Sequence, residues 1–379
     1  MASTRVTVYF GTNRMPQTGK GGKIITGFGS DPGTIGGMAV RFGAAQTDVD
    51  VAAGTTKMVE GSLDVAPEVL TGPQGFTPQF GSQTIFEQLR QDMKDGVKPT
   101  LVFIHGFSNS FQDAIERAGW LTQFYDVAMN VFVFTWPSRG SLLGPVPLPY
   151  SDYIHDRHSA VLSGPAVART LRTLYDFVDA LDRDARCNQK LHLLCHSMGN
   201  YVLRQGLQAL LTMPPATPAS QQDQASIATM SAIDSAAPYV STLRSTFDQI
   251  ILAAADEDED AFDDPKKLKY LPRLGNNVTV YHTQKDWILG TLSSVTKFNG
   301  PRLGSRGPDN MGTISDKVRA VDVSDILTLH GELTEPENHQ YYRKYAELQN
   351  DIRLVLQDTP PESFPKRVRV VDGRYRLVP

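Results

Sequence analysis

Residues 191–211 constrain the fold of this chain more than any other stretch. They begin with a short apolar run, pass through the turn Ser197-Met198-Gly199, and continue with apolar residues at helical spacing. A strand, a sharp turn and a helix in this order expose a serine Oγ above the tip of the strand, with the serine N–H near a helix N-terminus. The stretch therefore predicts that Ser197 is a nucleophile.

The turn departs at one position from the pattern G-x-S-x-G in which such serines usually lie. Cys195 replaces the first glycine, whereas Gly199 is kept. A cysteine side chain is small, so we expect strand and helix still to approach closely. The alternative interpretation is that Ser197 only caps the following helix, because serine is a good N-cap residue.

Composition narrows the class of protein. A chain of 379 residues can form one large α/β domain, and 40% hydrophobic residues are ordinary for a globular protein. The net charge of −4, from 41 acidic and 37 basic residues, leaves no electrostatic footprint for nucleic acid. No apolar run has the length of a signal-peptide core or of a transmembrane segment. We expect a cytoplasmic protein without a disulfide framework, since only two cysteines are present.

Three regions differ in pattern. Residues 1–80 are rich in glycine and in short alternating segments, which predicts an N-terminal β-rich extension arranged as a meander. Residues 81–365 alternate between strand and helix patterns, which predicts an α/β fold with a mostly parallel, doubly wound sheet. Residues 366–379 surround Asp372-Gly373, which predicts a C-terminal β-hairpin with a type I′ turn, packed on the main domain.

Within the middle region the pattern predicts a short helix over 82–96, with Gly96 at its C-terminal cap. The predicted core strands lie at 101–104, 131–134, 249–255, 277–282 and 317–323, together with the apolar run that begins at residue 191.

A serine nucleophile needs a base that removes its proton and a third group that holds the base. In an α/β-hydrolase arrangement the acid and then the histidine follow the serine in the chain. Only His330 and His339 follow the last predicted core strand. We favour His339, which lies in a polar loop directly before the final helix, over His330, which follows an apolar run and is expected to be packed.

Two aspartates are candidates for the acid. Asp286 follows the penultimate core strand, and Asp256 ends the strand before it; we favour Asp286. The acidic run 256–260 also suggests a calcium loop, but that register places Ala261 where glycine is needed and Lys267 where the bidentate glutamate is needed. We therefore expect a solvated acidic loop and no metal site.

An oxyanion hole requires two backbone N–H groups directed at the developing negative charge. Met198 follows the nucleophile and is expected to provide one of them. The second is expected from Phe107, because His105-Gly106-Phe107 directly follows the first core strand.

Several further motifs accompany the turns at Ser197 and Phe107. They are Tyr9-Phe10-Gly11-Thr12-Asn13-Arg14, Phe134-Thr135-Trp136-Pro137-Ser138, Tyr153 with Asp156 and Ser159, residues 252–256, and Arg302-Leu303-Gly304. Together these motifs resemble an α/β-hydrolase family of esterase-like proteins, catalogued as a domain of unknown function, number nine hundred. The resemblance implies the Ser-His-Asp assignment of Ser197, His339 and Asp286, and it implies serine hydrolysis.

From these observations we expect a serine hydrolase that cleaves carboxylic esters through an acyl-enzyme on Ser197, without a metal or an organic cofactor. Two alternatives remain at this point. The same triad could transfer the acyl group to an alcohol or amine, or the chain could be a non-catalytic hydrolase-like protein that binds a ligand or partner.

Overall fold

The structure is a computed structural model, and it places a large β-sheet at the centre of the molecule. It describes residues 3–19, 21–22, 24–33, 40–68, 77, 79–139, 150–180, 189–214, 238–290, 301–330 and 336–379. Three features of the sequence lie outside these ranges: the apolar, proline-rich residues 142–149, most of the polar residues 213–235, and Cys187.

The strands are short and most of them follow the predicted apolar runs. They are β1 (Thr4–Thr12), β2 (Arg14–Thr18), β3 (Ile25–Pro32), β4 (Arg41–Asp50), β5 (Thr55–Met58), β6 (Asp64–Val65), β7 (Thr100–Ile104), β8 (Asn130–Thr135), β9 (Leu191–His196), β10 (Phe247–Ala253), β11 (Gly275–His282), β12 (Val318–Asp322), β13 (Arg367–Val371) and β14 (Arg374–Leu377).

The helices lie mainly between the parallel strands. They are α1 (Gly81–Gly96), α2 (Phe111–Phe124), α3 (Tyr150–Ala180), α4 (Met198–Thr212), α5 (Leu303–Arg306), α6 (Ser324–Leu329) and α7 (Ala346–Leu356), with 3-10 segments at Val240–Thr242, Leu271–Arg273, Pro336–Arg343 and Pro361–Ser363.

The main sheet has the strand order β13-β14-β12-β11-β10-β9-β7-β8-β1-β4-β5, and β6 pairs with β4. Every neighbouring pair from β14 to β1 is parallel, whereas the pairs at the two ends of the sheet are antiparallel. The prediction of an α/β fold with a mostly parallel sheet is confirmed.

Helices cover both faces of this sheet, which explains why its central strands are continuously apolar. In β7, Leu101 and Phe103 pack with α2 and α7 on one face. Val102 and Ile104 pack with α1, α3 and α4 on the other face. The sheet is therefore doubly wound, as predicted, and its carboxyl ends carry the loops in which the candidate site residues lie.

The N-terminal residues do not form the expected meander. In the main sheet β1 pairs in parallel with β8 and antiparallel with β4. Strands β2 and β3, which lie between β1 and β4 in the sequence, form a separate two-stranded sheet. Val8 and Phe10 of β1 belong to one core cluster and Tyr9 to the other. The alternation of apolar and polar residues predicted strands here, but it could not show that β1 inserts between β8 and β4 in the main sheet. The boundary at residue 80 stays a prediction.

Two turn predictions need correction. Helix α1 ends with Val97, rather than a glycine, in the left-handed conformation at φ 49°. The C-terminal hairpin of β13 and β14 is confirmed, and it pairs with the main sheet through β12. Its turn is not type I′, because Gly373 has a positive φ of 71° and Asp372 does not.

No helix within the described ranges is long and apolar enough to cross a membrane.

We predict that the free energy of unfolding falls between pH 6.5 and pH 4, in part because of His192. This imidazole is fully buried in β9, and neither ring nitrogen has a hydrogen-bond partner among the described residues. Burial, with Lys190 as a second cause, lowers the pKa of His192 to about 4. Above about pH 6.5 His192 is neutral in the folded and in the unfolded chain, and the folded state is not penalised. As the pH falls from 6.5 toward 4, the unfolded chain takes up a proton that the folded chain does not, so the free energy of unfolding decreases.

The variant His192→Leu removes this group while filling the same space. Between pH 7 and pH 4 the parent should lose up to about 3 kcal/mol more than the variant, as a shift of this size implies. Urea unfolding of both proteins at a series of pH values measures the difference. If the parent and His192→Leu lost the same free energy of unfolding between pH 7 and pH 4, His192 would not be a cause of the acid sensitivity.

Candidate active site

Ser197 lies at the junction between β9 and α4, in a backbone conformation that L-residues rarely adopt. Its φ is 53° and its ψ is −126°. The Ser197 N–H donates to the Ala253 carbonyl over 3.0 Å, and the Ser197 carbonyl accepts from the Asp256 N–H over 3.2 Å. Contacts from β10 and the loop after it therefore hold the turn. The Ser197 side chain makes no capping hydrogen bond to α4, so the interpretation as a simple helix cap is wrong.

Two glycines bring the serine turn against the loop after β7. A Cβ on Gly199 would lie 2.5 Å from the Ile104 carbonyl oxygen and 2.6 Å from that of His105. A Cβ on Gly106 would lie 2.9 Å from Ser197 Cβ. Gly199 is thus needed for the close approach of α4 to β7, which explains why this glycine of the pattern is kept. Cys195, at the position of the other glycine, is buried in the core.

His339 and Asp286 form a buried hydrogen-bonded pair. Asp286 follows β11, and His339 lies in the 3-10 segment before α7. His339 Nδ1 lies 2.7 Å from Asp286 Oδ2, and Asp286 Oδ1 accepts from the Leu289 N–H over 3.1 Å. Because a carboxylate only accepts, Nδ1 donates this hydrogen bond, and Nε2 is the ring nitrogen left to accept a proton from another group. His339 Nε2 is buried and has no hydrogen-bond partner among the described residues.

His196 ties the His339 segment to the serine turn. Its Nε2 lies 2.9 Å from the His339 carbonyl oxygen, and its ring stacks on Tyr342 with centroids 4.4 Å apart. Burial lowers the pKa of His196 well below its usual value, so the ring is neutral and Nε2 donates to the carbonyl. The sequence alone assigns no role to His196. Its position directly before Ser197 was the available signal.

The competing candidates have other partners. His330 is exposed, lies 3.2 Å from Glu347 Oε2 and stacks on Tyr345. It is therefore not the packed core residue that we expected. Asp256 accepts a hydrogen bond of 2.6 Å from the Tyr153 hydroxyl. Of the candidates for acid and base, the structure joins Asp286 with His339.

The expectation of a solvated acidic loop after β10 is wrong. Asp256, Glu257 and Asp258 are all buried. Glu257 lies 3.2 Å from Arg204, and Asp258 pairs with Arg302. Charge density alone predicted exposure, but basic partners from other segments compensate the buried carboxylates. In the described part of the chain, no group of three or more His, Cys, Asp or Glu side chains is arranged to hold a metal ion.

The two candidate oxyanion donors lie on either side of the close contact between the turns. Met198 is the first residue of α4, and the N–H of a first helical residue has no acceptor within its helix. Phe107 directly follows Gly106, which packs against Ser197. The Phe107 ring is half-buried and meets Tyr153 edge to face, with centroids 5.8 Å apart.

Comparison with known proteins is consistent with this architecture. A family model described as an alpha/beta hydrolase of unknown function (DUF900) matches residues 82–357. The chain belongs to this family. The DUF900 match includes Phe107, Ser197, Asp286 and His339. No curated protein and no solved structure matches the chain.

We predict that Gly199→Ala destabilises the fold by about 3 kcal/mol, because its Cβ would meet two backbone oxygens that cannot move independently of β7. Gly290→Ala is the control, since no described atom lies within 4 Å of that Cβ. Thermal and urea unfolding of both variants measure the effect. Similar stability of the two variants would contradict the close-packing argument.

Proposed function

We propose that this chain is a serine hydrolase that cleaves carboxylic esters through an acyl-enzyme on Ser197. The observation that carries the proposal is the hydrogen bond between Asp286 and His339, which leaves the buried Nε2 of His339 without a described partner. The strained turn at Ser197 and the link from His196 to the His339 carbonyl support it.

In the proposed mechanism Ser197 Oγ attacks the carbonyl carbon of the ester while His339 Nε2 takes the hydroxyl proton. Asp286 accepts the Nδ1 hydrogen bond, orients the ring and stabilises the imidazolium that forms. The carbonyl oxygen becomes an oxyanion and accepts hydrogen bonds from the N–H groups of Phe107 and Met198. The tetrahedral intermediate collapses, the bond to the alcohol breaks, and His339 returns its proton to the departing oxygen.

Water then repeats the sequence on the acyl-enzyme. His339 Nε2 removes a proton from the attacking water, the acyl bond to Ser197 breaks, and the proton passes to Ser197 Oγ. An alcohol or amine that takes the place of water would give acyl transfer by the same steps. Adding such a nucleophile to the hydrolysis assay, and analysing the products, measures how the acyl group is partitioned.

A fluorophosphonate probe tests the nucleophile directly. We expect the parent to be labelled with one probe per chain, and Ser197→Ala to lose labelling because the attacking oxygen is gone. Ser163→Ala is a matched control, since this buried serine hydrogen-bonds within α3 and to Asn13. A series of 4-nitrophenyl esters of increasing chain length measures turnover in parallel. Normal labelling of Ser197→Ala would overturn the assignment.

Two histidine variants test the base. His339→Ala should lower kcat by about 10²–10⁴-fold, the range that general-base catalysis contributes. His330→Ala should stay within about threefold of the parent, because its ring contacts Glu347 and Tyr345 instead. The reverse ranking of the two variants in steady-state kinetics would exclude His339 as the base.

A further inference from the structure

The loop after β7 contains a buried asparagine that contacts the backbone on both sides of Phe107. Asn109 is only 1% exposed. Its Nδ2 donates to the Gly106 carbonyl over 3.0 Å and to the Phe107 carbonyl over 2.7 Å. One amide group therefore holds two successive peptide units of the loop.

The amide orientation follows from these partners. A side-chain amide has one acceptor oxygen and one donor nitrogen. Exchanging them would place Asn109 Oδ1 against two carbonyl oxygens, which cannot donate. Asn109 Oδ1 itself is buried and has no partner among the described residues. The double donation is thus the dominant polar contact of this side chain.

The first peptide unit that Asn109 holds contains the Phe107 N–H. No peptide bond in the described chain is cis, so the N–H of Phe107 points opposite to the carbonyl of Gly106. That carbonyl accepts from Asn109 and also lies 2.9 Å from His105 Nδ1. Because both donors hold the carbonyl edge of this peptide unit, its opposite edge, which carries the Phe107 N–H, faces away from Asn109 and His105.

The His105 contact is a donation. His105 is fully buried, which lowers its pKa well below the usual value and keeps the ring neutral. Its Nε2 faces the Trp136 N–H over 3.2 Å and accepts from it. Nδ1 then carries the proton and donates to the Gly106 carbonyl.

The second peptide unit is held in the same way. Its carbonyl, on Phe107, accepts from Asn109, and its N–H, on Ser108, donates to Asp156 over 3.4 Å. Ser108 has a φ of 56°, a conformation that L-residues adopt at a cost unless neighbours hold it. Asn109 and Asp156 together hold that conformation.

The backbone of Asn109 is itself fixed by distant segments. Its N–H donates to Ser138 Oγ over 3.2 Å, and its carbonyl accepts from Arg14 over 2.7 Å. Arg14 is buried and also donates to the Ser138 carbonyl and to Thr135 Oγ1. The backbone of Asn109 is thus fixed by β2 and by the end of β8 with the residues that follow it.

We propose that Asn109 is a positioning residue that directs the Phe107 N–H toward the oxyanion formed on a substrate at Ser197. This inference rests on the proposed function and deepens it. The described hydrogen bonds of the Asn109 side chain go to the Gly106 and Phe107 carbonyls, so it acts through these two peptide units. Loss of its two donations leaves His105 as the one described donor to the Gly106 carbonyl and lets the Phe107 N–H turn away. This weakens stabilisation of the transition state more than binding of the substrate.

The test compares Asn109→Ala and Asn109→Asp with the parent on 4-nitrophenyl butyrate. Asn109→Asp keeps the size of the side chain and leaves at most one donation, from a protonated carboxyl group, so it serves if Asn109→Ala does not fold. We expect kcat to fall by about 10²-fold, the lower end of the effect of losing one oxyanion donor, with KM within about threefold. Affinity for phenylboronic acid, which forms a tetrahedral anion on the serine, should fall by the same factor as kcat/KM.

The matched control is Asn13→Ala. Asn13 is equally buried, and its Nδ2 donates to Ser163 Oγ rather than to the loop after β7. We expect this variant to keep kcat and boronate affinity within about threefold.

The possible results separate this inference from the proposed function. If the parent shows Ser197-dependent turnover but a folded Asn109 variant keeps kcat within threefold, only the positioning role is wrong. Equal losses in Asn13→Ala, or a loss of kcat without a parallel loss of boronate affinity, overturn it as well. If the parent shows no turnover or labelling that Ser197→Ala abolishes, both the function and the positioning role are wrong.

Discussion

The close contact between the turn at Ser197 and the end of β7 is the constraint on which the rest of the site depends. Gly199 and Gly106 remove the two side chains that would prevent it. The contact forces Ser197 into a positive φ, at a cost of about 1–3 kcal/mol for such a residue. A backbone hydrogen bond to the Ala253 carbonyl and another from the Asp256 N–H hold that conformation. The strain is therefore tolerated because the sheet on both sides of β9 is rigid.

Buried polar groups extend this rigidity into the surrounding loops. Arg14 reaches from the N-terminal strands to the loop after β7, and burial lowers its pKa to about 9. The Asp156 carboxylate accepts hydrogen bonds from residues in the loops after β7 and β8. Burial raises the pKa of Asp156. Each of these groups has partners from more than one segment, as a buried charge requires. Loops that would otherwise be independent are thereby held in fixed relation to the turn at Ser197.

Much of the fold could be predicted because its cause is local. Continuous apolar runs predicted the core strands, and the structure places them within about two residues at each end. The meander, the solvated acidic loop and the type I′ turn were wrong for a shared reason. Alternation, charge density and a dipeptide describe a segment alone, whereas the neighbour of β1, the arginines beside the acidic run and the pairing of β14 come from distant parts of the chain.

The sequence by itself determined the strand, turn and helix around Ser197, the parallel sheet and the C-terminal hairpin, because each follows from periodicity and turn chemistry within a short window. It also reduced the acid and the base to two candidates each. Only the tertiary structure decided that His339 pairs with Asp286, since spacing along the chain does not state which loops meet above a sheet. The same holds for Asn109, whose two hydrogen bonds depend on the folded course of its own loop.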